Sequence, residues 1–285
     1  MKNPIPSIQV RLKAIAEQEN TAYQLVLIRY FTERLIYRLS ASKYRKQFCL
    51  KGGVLLYAYE QEASRPTLDL DLLGLRIAND EEKMKMVFQV ICQTECPEDG
   101  VSFLHDTITT REIRKEGRYS GIRIKIDGRL GNIRQLSQVD VGFGDIVTPP
   151  PVEMTYPTLL PLPEPRILVY SLETVIAEKF EAMISLAAQN SRMKDFYDVY
   201  RLLENSEIND AILMEAIQNT FKQRETPIEQ NHVVFSPEFT DSPKRRQEWG
   251  AFLKKMGRFS EMEPLAFEEV MLVIRNRLEP IYATL

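Results

Sequence analysis

The residues best placed to do chemistry are Asp69 and Asp71, in the string Arg65-Pro66-Thr67-Leu68-Asp69-Leu70-Asp71-Leu72. Read as a strand from Leu68 to Leu73, the alternation puts Leu68, Leu70 and Leu72 on one face. Both carboxylates then share the other face, about 7 Å apart along the strand. Neighbouring carboxylates repel and raise one another's pKa unless a cation lies between them. A divalent ion relieves that repulsion. Hard oxygen donors suit Mg²⁺, which takes one or two protein carboxylates and completes its octahedron with water and substrate phosphate. A strand whose aspartates only face solvent would show the same alternation.

The elements around this strand must hold it against a substrate. Phe48 to Leu50 reads as a strand entering the turn Lys51-Gly52-Gly53, and Val54 to Tyr59 as a short helix. A turn without side chains lets backbone N–H groups approach a phosphate, and the helix N-terminus adds a favourable dipole. Farther on, Asp140 lies between Val139 and Val141 in a strand running from Ile133 to Val141. Asp127 precedes Gly128 and reads as a turn residue, while Asp145 falls past the strand end.

Apolar spacings of three and four make Thr21 to Ser40 an amphipathic helix. Asn79-Asp80-Glu81-Glu82 opens another, with Asn79 as the expected N-cap and Met84, Val87, Phe88 and Ile91 as its apolar stripe. The period then shortens to that of strands over Val101–Leu104, Ile108–Glu112 and Gly121–Ile126. Seven prolines between Thr148 and Pro165 exclude a helix and predict extended edge segments. Ser171-Leu172-Glu173-Thr174 opens a helix, and the remainder reads helical apart from a loop over Glu229–Asp241. The division expected is therefore 1–168 and 169–285.

Composition is that of an ordinary globular protein of 285 residues with a net charge of −3. No apolar run approaches the roughly 20 residues of a membrane span, and the N-terminus lacks a signal peptide's apolar core, so a cytoplasmic protein without membrane contact is expected. Cys49, Cys92 and Cys96 lack paired zinc-site spacing and read as buried, reduced thiols. Charge is uneven. Arg29, Arg34, Arg38, Lys43, Arg45 and Lys46 belong to a basic stretch before the glycine turn, and Arg111, Arg114, Lys115, Arg118, Arg123, Lys125, Arg129 and Arg134 form a second cluster. Either could face a polyanion or be a solvated surface.

The combination K-G-G-x-x-L, then R-x-T-x-D-x-D-L, resembles the AbiEii/AbiGii toxin family within the DNA polymerase β-like nucleotidyltransferases. The resemblance implies an α+β fold: a mixed sheet flanked by helices, followed by a C-terminal helical domain. It also implies that Asp140 is the third carboxylate, completing with Asp69 and Asp71 a centre for two Mg²⁺ ions. The segment Ala177-Glu178-Lys179-Phe180-Glu181-Ala182 is similar to the family's A-E-K-x-x-A, whose lysine contacts nucleotide phosphate. Arg192 to Tyr200 resembles R-x-x-D-x-x-D-x-Y, so that Asp195 is expected to orient Lys179 or the base. Asp198 stays open between nucleotide binding and a surface ion pair. By the same resemblance Lys51, Gly52, Gly53, Arg65 and Thr67 line the nucleotide site. Gly53 departs from the serine common at that position, leaving only backbone donors. The activity implied is that of a toxin transferring NMP from an NTP to an acceptor, most simply the tRNA 3′ end, with a cognate antitoxin as partner. The competing readings are a nucleotide- or antitoxin-binding module without turnover and a small-molecule nucleotidyltransferase of the antibiotic-modifying kind.

Overall fold

Val139, Val141, Ile122 and Ile124 are buried and alternate with polar residues or glycine along their strands, while Phe48, Cys49 and Leu50, and Leu72 and Leu73, are buried in succession, which is the pattern of central strands covered on both faces beside strands with one face on a core. The structure is a computed structural model describing residues 3–60, 67–115, 119–256 and 265–285. Its chain forms two compact units: residues 1–144 with 151–170, and residues 145–150 with 171–285. The architecture is α+β. No described helix is long and apolar enough to cross a membrane.

The first unit carries an eight-stranded mixed sheet. Its strands are β1 (Phe48–Lys51), β2 (Leu70–Gly74), β3 (Val101–Phe103), β4 (Thr109–Lys115), β5 (Tyr119–Leu130), β6 (Ile133–Phe143), β7 (Val152–Thr155) and β8 (Arg166–Val169). The order is β3-β5-β6-β2-β1-β8-β7, with β4 also paired to β5. β2 runs antiparallel to β1 and parallel to β6. Helices α1 (Ile5–Gln18), α2 (Tyr23–Ala41), α3 (Gly52–Glu60) and α4 (Glu81–Cys92) complete the unit. Phe48 meets Phe88 of α4 edge-on at 5.7 Å, and Phe31 of α2 meets Phe103 at 6.2 Å. Burying each such ring is worth roughly 1.5–3 kcal/mol, and this anchors β1 on α4 and β3 on α2.

Three local expectations are corrected. β2 begins at Leu70, so Leu68 precedes the ladder and is 58% exposed instead of sharing the buried face with Leu70 and Leu72. The N-cap of α4 is Asp80, whose carboxylate accepts from the Lys83 N–H at 2.7 Å; Asn79 is one residue too early. In the proline-rich stretch only β7 is an edge strand. β8 begins after the last proline, keeps its N–H groups and lies inside the sheet between β7 and β1.

Three arginines of the basic stretch are turned towards carboxylates of the same unit. Arg34 pairs with Glu33, Arg38 forks onto Asp99 through both terminal nitrogens, and Arg29 pairs with Glu19. Arg34 and Arg38 are buried and balance interior carboxylates, while Lys43, Arg45 and Lys46 are exposed.

The second unit is helical: α5 (Leu172–Leu186), α6 (Met193–Asn205), α7 (Asp210–Arg224), α8 (Pro237–Thr240), α9 (Pro243–Met256) and α10 (Phe267–Tyr282). Ser171 caps α5 as its sequence predicts, accepting from the Thr174 N–H at 3.1 Å. The Glu229–Asp241 segment is not wholly loop, because α8 lies within it. Phe180, Phe221, Phe235 and Tyr282 form one aromatic cluster, and Trp249 packs on Phe267 while donating to the Leu265 carbonyl at 2.7 Å.

Candidate active site

Strand register sets four charged residues side by side. Lys51 is paired with Asp71, Asp71 with Asp140, and Asp140 with Arg123, across β1, β2, β6 and β5. Directly paired residues project from the same face of a sheet, so the row reads cation, carboxylate, carboxylate, cation. Adjacent strands lie about 4.8 Å apart, which makes Asp71 and Asp140 close neighbours. The sequence separates them by 69 positions, and only the parallel pairing of β2 with β6 joins them.

The ends of the row are tied down. Arg123 clasps Asp140 with two parallel bonds, Nε to Oδ1 and Nη2 to Oδ2, each 2.8 Å. This bidentate geometry is the strong form of an arginine–carboxylate pair, and Asp140 raises the Arg123 pKa further. Asp140 is buried while Arg123 is about a quarter exposed. At the other end Lys51 Nζ lies 3.3 Å from the Tyr170 hydroxyl and 5.0 Å from the centre of its ring. Asp69 stands one residue before β2 and accepts from Gln138 Nε2 at 2.8 Å, extending the register by one pair.

The glycine turn abuts this row. Gly52 has φ +71°, and a Cβ there would lie 2.4 Å from Asp71 Oδ2. Backbone conformation and contact therefore both exclude a side chain. Gly53 is buried in the first turn of α3. Thr67 is half-buried two residues before Asp69, and Arg65 lies outside the described residues.

In the second unit, Lys179 of α5 reaches two carboxylates of α6: Asp195 Oδ1 at 2.7 Å and Asp198 Oδ2 at 2.8 Å. Arg192 Nε is 2.6 Å from the other oxygen of Asp195. Both aspartates are buried, and the lysine is 11% exposed. Burial penalises the charged form of Asp195, but Lys179 and Arg192 outweigh it and hold its pKa below the usual carboxylate range. The anion that Lys179 needs beside apolar surface is thus supplied by this chain itself. Asp198 belongs to a buried pair and not to a surface ladder.

The chemistry of the donors bears on a metal. Asp69 and Asp71 provide hard oxygens of the kind Mg²⁺ takes, and one or two protein carboxylates suffice for it. Both oxygens of Asp140 are engaged by Arg123. Among the described residues, no three His, Cys, Asp or Glu side chains converge to hold one ion. The residues present therefore fit a two-carboxylate site, and the expected three-carboxylate centre is not assembled in this conformation. Arg123, Gln138 and Tyr170 were missed as site residues by sequence reasoning. Their only sequence signal is strand alternation, which cannot say which strands are neighbours.

A family model described as "Nucleotidyl transferase AbiEii toxin, Type IV TA system" matches residues 34–272. Among solved structures, one described as a "putative nucleotidyltransferase" from H. pylori shares the fold, with TM-score 0.51 and 14% identity over 90% of this chain and 95% of that one. JHP933 from Helicobacter pylori is similar at TM-score 0.49 and 13% identity, covering 89% of this chain and 90% of that one. Among curated proteins, none matches this chain.

Proposed function

The chain belongs to the AbiEii family of nucleotidyl transferase toxins from type IV toxin–antitoxin systems, and from that premise we propose that it transfers NMP from an NTP to the 3′ end of an RNA acceptor, tRNA foremost, releasing pyrophosphate. The observation that carries this reading is the Lys51–Asp71–Asp140–Arg123 row lying against the side-chain-free turn at Gly52. Asp69 and Asp71 are the pair that would hold Mg²⁺, which when bound lowers the pKa of an attacking hydroxyl and neutralises the departing phosphates.

The chain's own groups take the remaining parts. Backbone N–H groups at Gly52 and Gly53 bind phosphate oxygens at the start of α3. Lys51 adds a positive charge beside them, held by Tyr170. Asp140 and Arg123 fix the local balance of charge, because the arginine cancels one of the two adjacent carboxylates. Arg65 and Thr67 stand immediately before the catalytic strand and are assigned to the nucleotide by the family motif. In the second unit we assign Lys179 to substrate phosphate, with Asp195 and Asp198 as the anions that keep it charged and oriented until substrate arrives. The family also implies a cognate antitoxin.

A second reading, nucleotide binding without turnover, is favoured by one observation: Arg123 holds both oxygens of Asp140. The test incubates the purified protein with unfractionated tRNA, Mg²⁺ and each α-labelled NTP in turn, beside Asp69→Ala. Label on tRNA that disappears in the variant is the expected result and names the nucleotide. Retained nucleotide binding with no label on tRNA, on other RNA or on small-molecule acceptors would sink the transferase reading.

A further inference from the structure

One feature of the first unit plays no part in the proposed reaction. At the end of β1 and β2 away from the glycine turn is a cavity of about 400 Å³ in the first unit. Arg45 and Lys46 enter it from the turn before β1, Arg76 from just after β2, and Arg166 from the start of β8. Glu153 is the one carboxylate of the lining, and its pair with Arg166, at 3.6 Å and well exposed, is worth little. Among the described residues, Arg45, Lys46 and Arg76 take part in no ion pair. Four cations against one carboxylate, in a protein of net charge −3, is a local excess without internal cause.

Two further observations tie this excess to the site. Register and alternation place Arg166 and Leu168 on the same face of the sheet as the carboxylate row: Leu168 pairs with Cys49, which shares a face with Lys51. Along β8 the face runs Arg166, Leu168, Tyr170, and the Tyr170 hydroxyl meets Lys51. The three residues from Asp71 to Gly74 put the cavity roughly 10 Å or more along the strands from the carboxylates. Arg76 also holds φ +53°, a conformation that L-residues adopt at a cost, so its backbone is set by the surrounding fold.

We propose that this basic cavity binds phosphates of the RNA acceptor's backbone, a few nucleotides away from the reacting end. The inference rests on the proposed transfer to RNA for its biological meaning but not for its test, which is binding. Exposed guanidinium and ammonium groups converging from three elements suit a chain of phosphates passing across them. The lining contains no aromatic ring on which a base could stack. Recognition here is therefore of the backbone, independent of sequence.

The experiment measures binding of fluorescently labelled tRNA by anisotropy at several salt concentrations, for wild type, Asp69→Ala and the triple variant Arg45→Glu/Arg76→Glu/Arg166→Glu. Melting temperature and circular dichroism check that the triple variant folds, and Arg45→Gln/Arg76→Gln/Arg166→Gln replaces it if it does not. The expected result is at least a tenfold loss of affinity in the triple variant and a shallower dependence of log K on log salt, by about 2 for three lost phosphate contacts. Asp69→Ala reports what the reaction site itself contributes to binding, and the loss in the triple variant should exceed any change it shows. Unchanged affinity and slope in the folded triple variant would overturn the proposal, as would a wild type that binds no tRNA. Inorganic phosphate titrated in parallel separates the sources: saturation by phosphate that the triple variant loses while tRNA affinity stays constant would assign the cavity to a small anion and overturn the RNA assignment. If tRNA binding falls as expected but no NTP is ever transferred, the cavity assignment stands and the transferase reading fails.

Discussion

The carboxylate row of the first unit and the Lys179 cluster of the second use the same residue types to opposite ends. In the row, charges are spread over four strands, and two like charges stand next to each other at its middle. In the cluster, every charge is met at 2.6–2.8 Å by an opposite one, and both carboxylates are buried. The row is also balanced by its two end cations, but its charges are brought together by strand register beside the side-chain-free turn at Gly52 and not locked between two helices. The cluster is already neutral, and any role for Lys179 in binding phosphate must begin by loosening a buried pair. The same residue types are thus gathered by pairing between strands in one unit and by the packing of two helices in the other.

The largest effect should come from the middle of the row. Asp71→Asn keeps the shape but removes the charge, and nucleotide transfer should fall by about 10³-fold or more, equivalent to about 4 kcal/mol of lost transition-state stabilisation. Melting temperature should change far less than activity, because Asp71 is only half-buried and the substitution keeps its shape. A large drop in stability would show the row to be structural and erase the contrast.

The cluster should respond the other way. Asp195→Ala strands Arg192 and half of Lys179, and breaking a buried pair in this way costs about 3–5 kcal/mol, read as a fall in the denaturation midpoint. A variant as stable as wild type would mean that the cluster opens freely, which would make it as available as the row.

Sensitivity to pH separates a carboxylate that its cations hold charged from one that burial favours protonated. The Asp195 pKa is lowered on folding, so its contribution is present above the unfolded value of 3.8 and lost as pH falls through the lower folded value. Glu33 is raised from 4.5 to about 7, chiefly by burial, against the opposing pull of Arg34 and the Leu159 N–H. Its protonated form is favoured in the folded state, so stability declines as pH rises from about 4.5 towards 7, by at most about 3 kcal/mol. Hydrogen exchange should accordingly show α2 losing protection on the alkaline side and α6 losing it on the acid side. Parallel behaviour of the two helices would contradict the assignment.

The smallest expected effect concerns Arg123. Arg123→Gln frees Asp140 to join Asp69 and Asp71, and the affinity for Mn²⁺, followed by electron paramagnetic resonance, should rise several-fold, worth about 1 kcal/mol. No change in metal affinity would mean that Asp140 is not a latent ligand.

Much of the molecule could be read without coordinates. Glycine geometry made the Lys51-Gly52-Gly53 turn legible, alternation gave the shared face of Asp69 and Asp71, and the Ser171 cap fixed the start of α5. These are local properties, set within a few residues by backbone freedom and periodicity. What was illegible is non-local. The burial of Arg34 and Arg38 followed from Glu33 and Asp99 closing on them, and a helix pattern alone shows only that two arginines lie one turn apart. The short reach of β2 at its start, which exposes Leu68, depends on where β6 stops pairing.

Local sequence singled out the candidates: two carboxylates on one face of a strand, a turn that admits backbone to phosphate, and a lysine on an apolar helix edge. The tertiary structure alone decided their partners. Register between strands distant in sequence set Asp71 beside Asp140 and gave Asp140 to Arg123, and helix packing gave Lys179 to Asp195 and Asp198. Periodicity fixes the direction in which a side chain points, while the energy of a charge depends on what lies within a few ångströms of it, and that is a property of the packed chain.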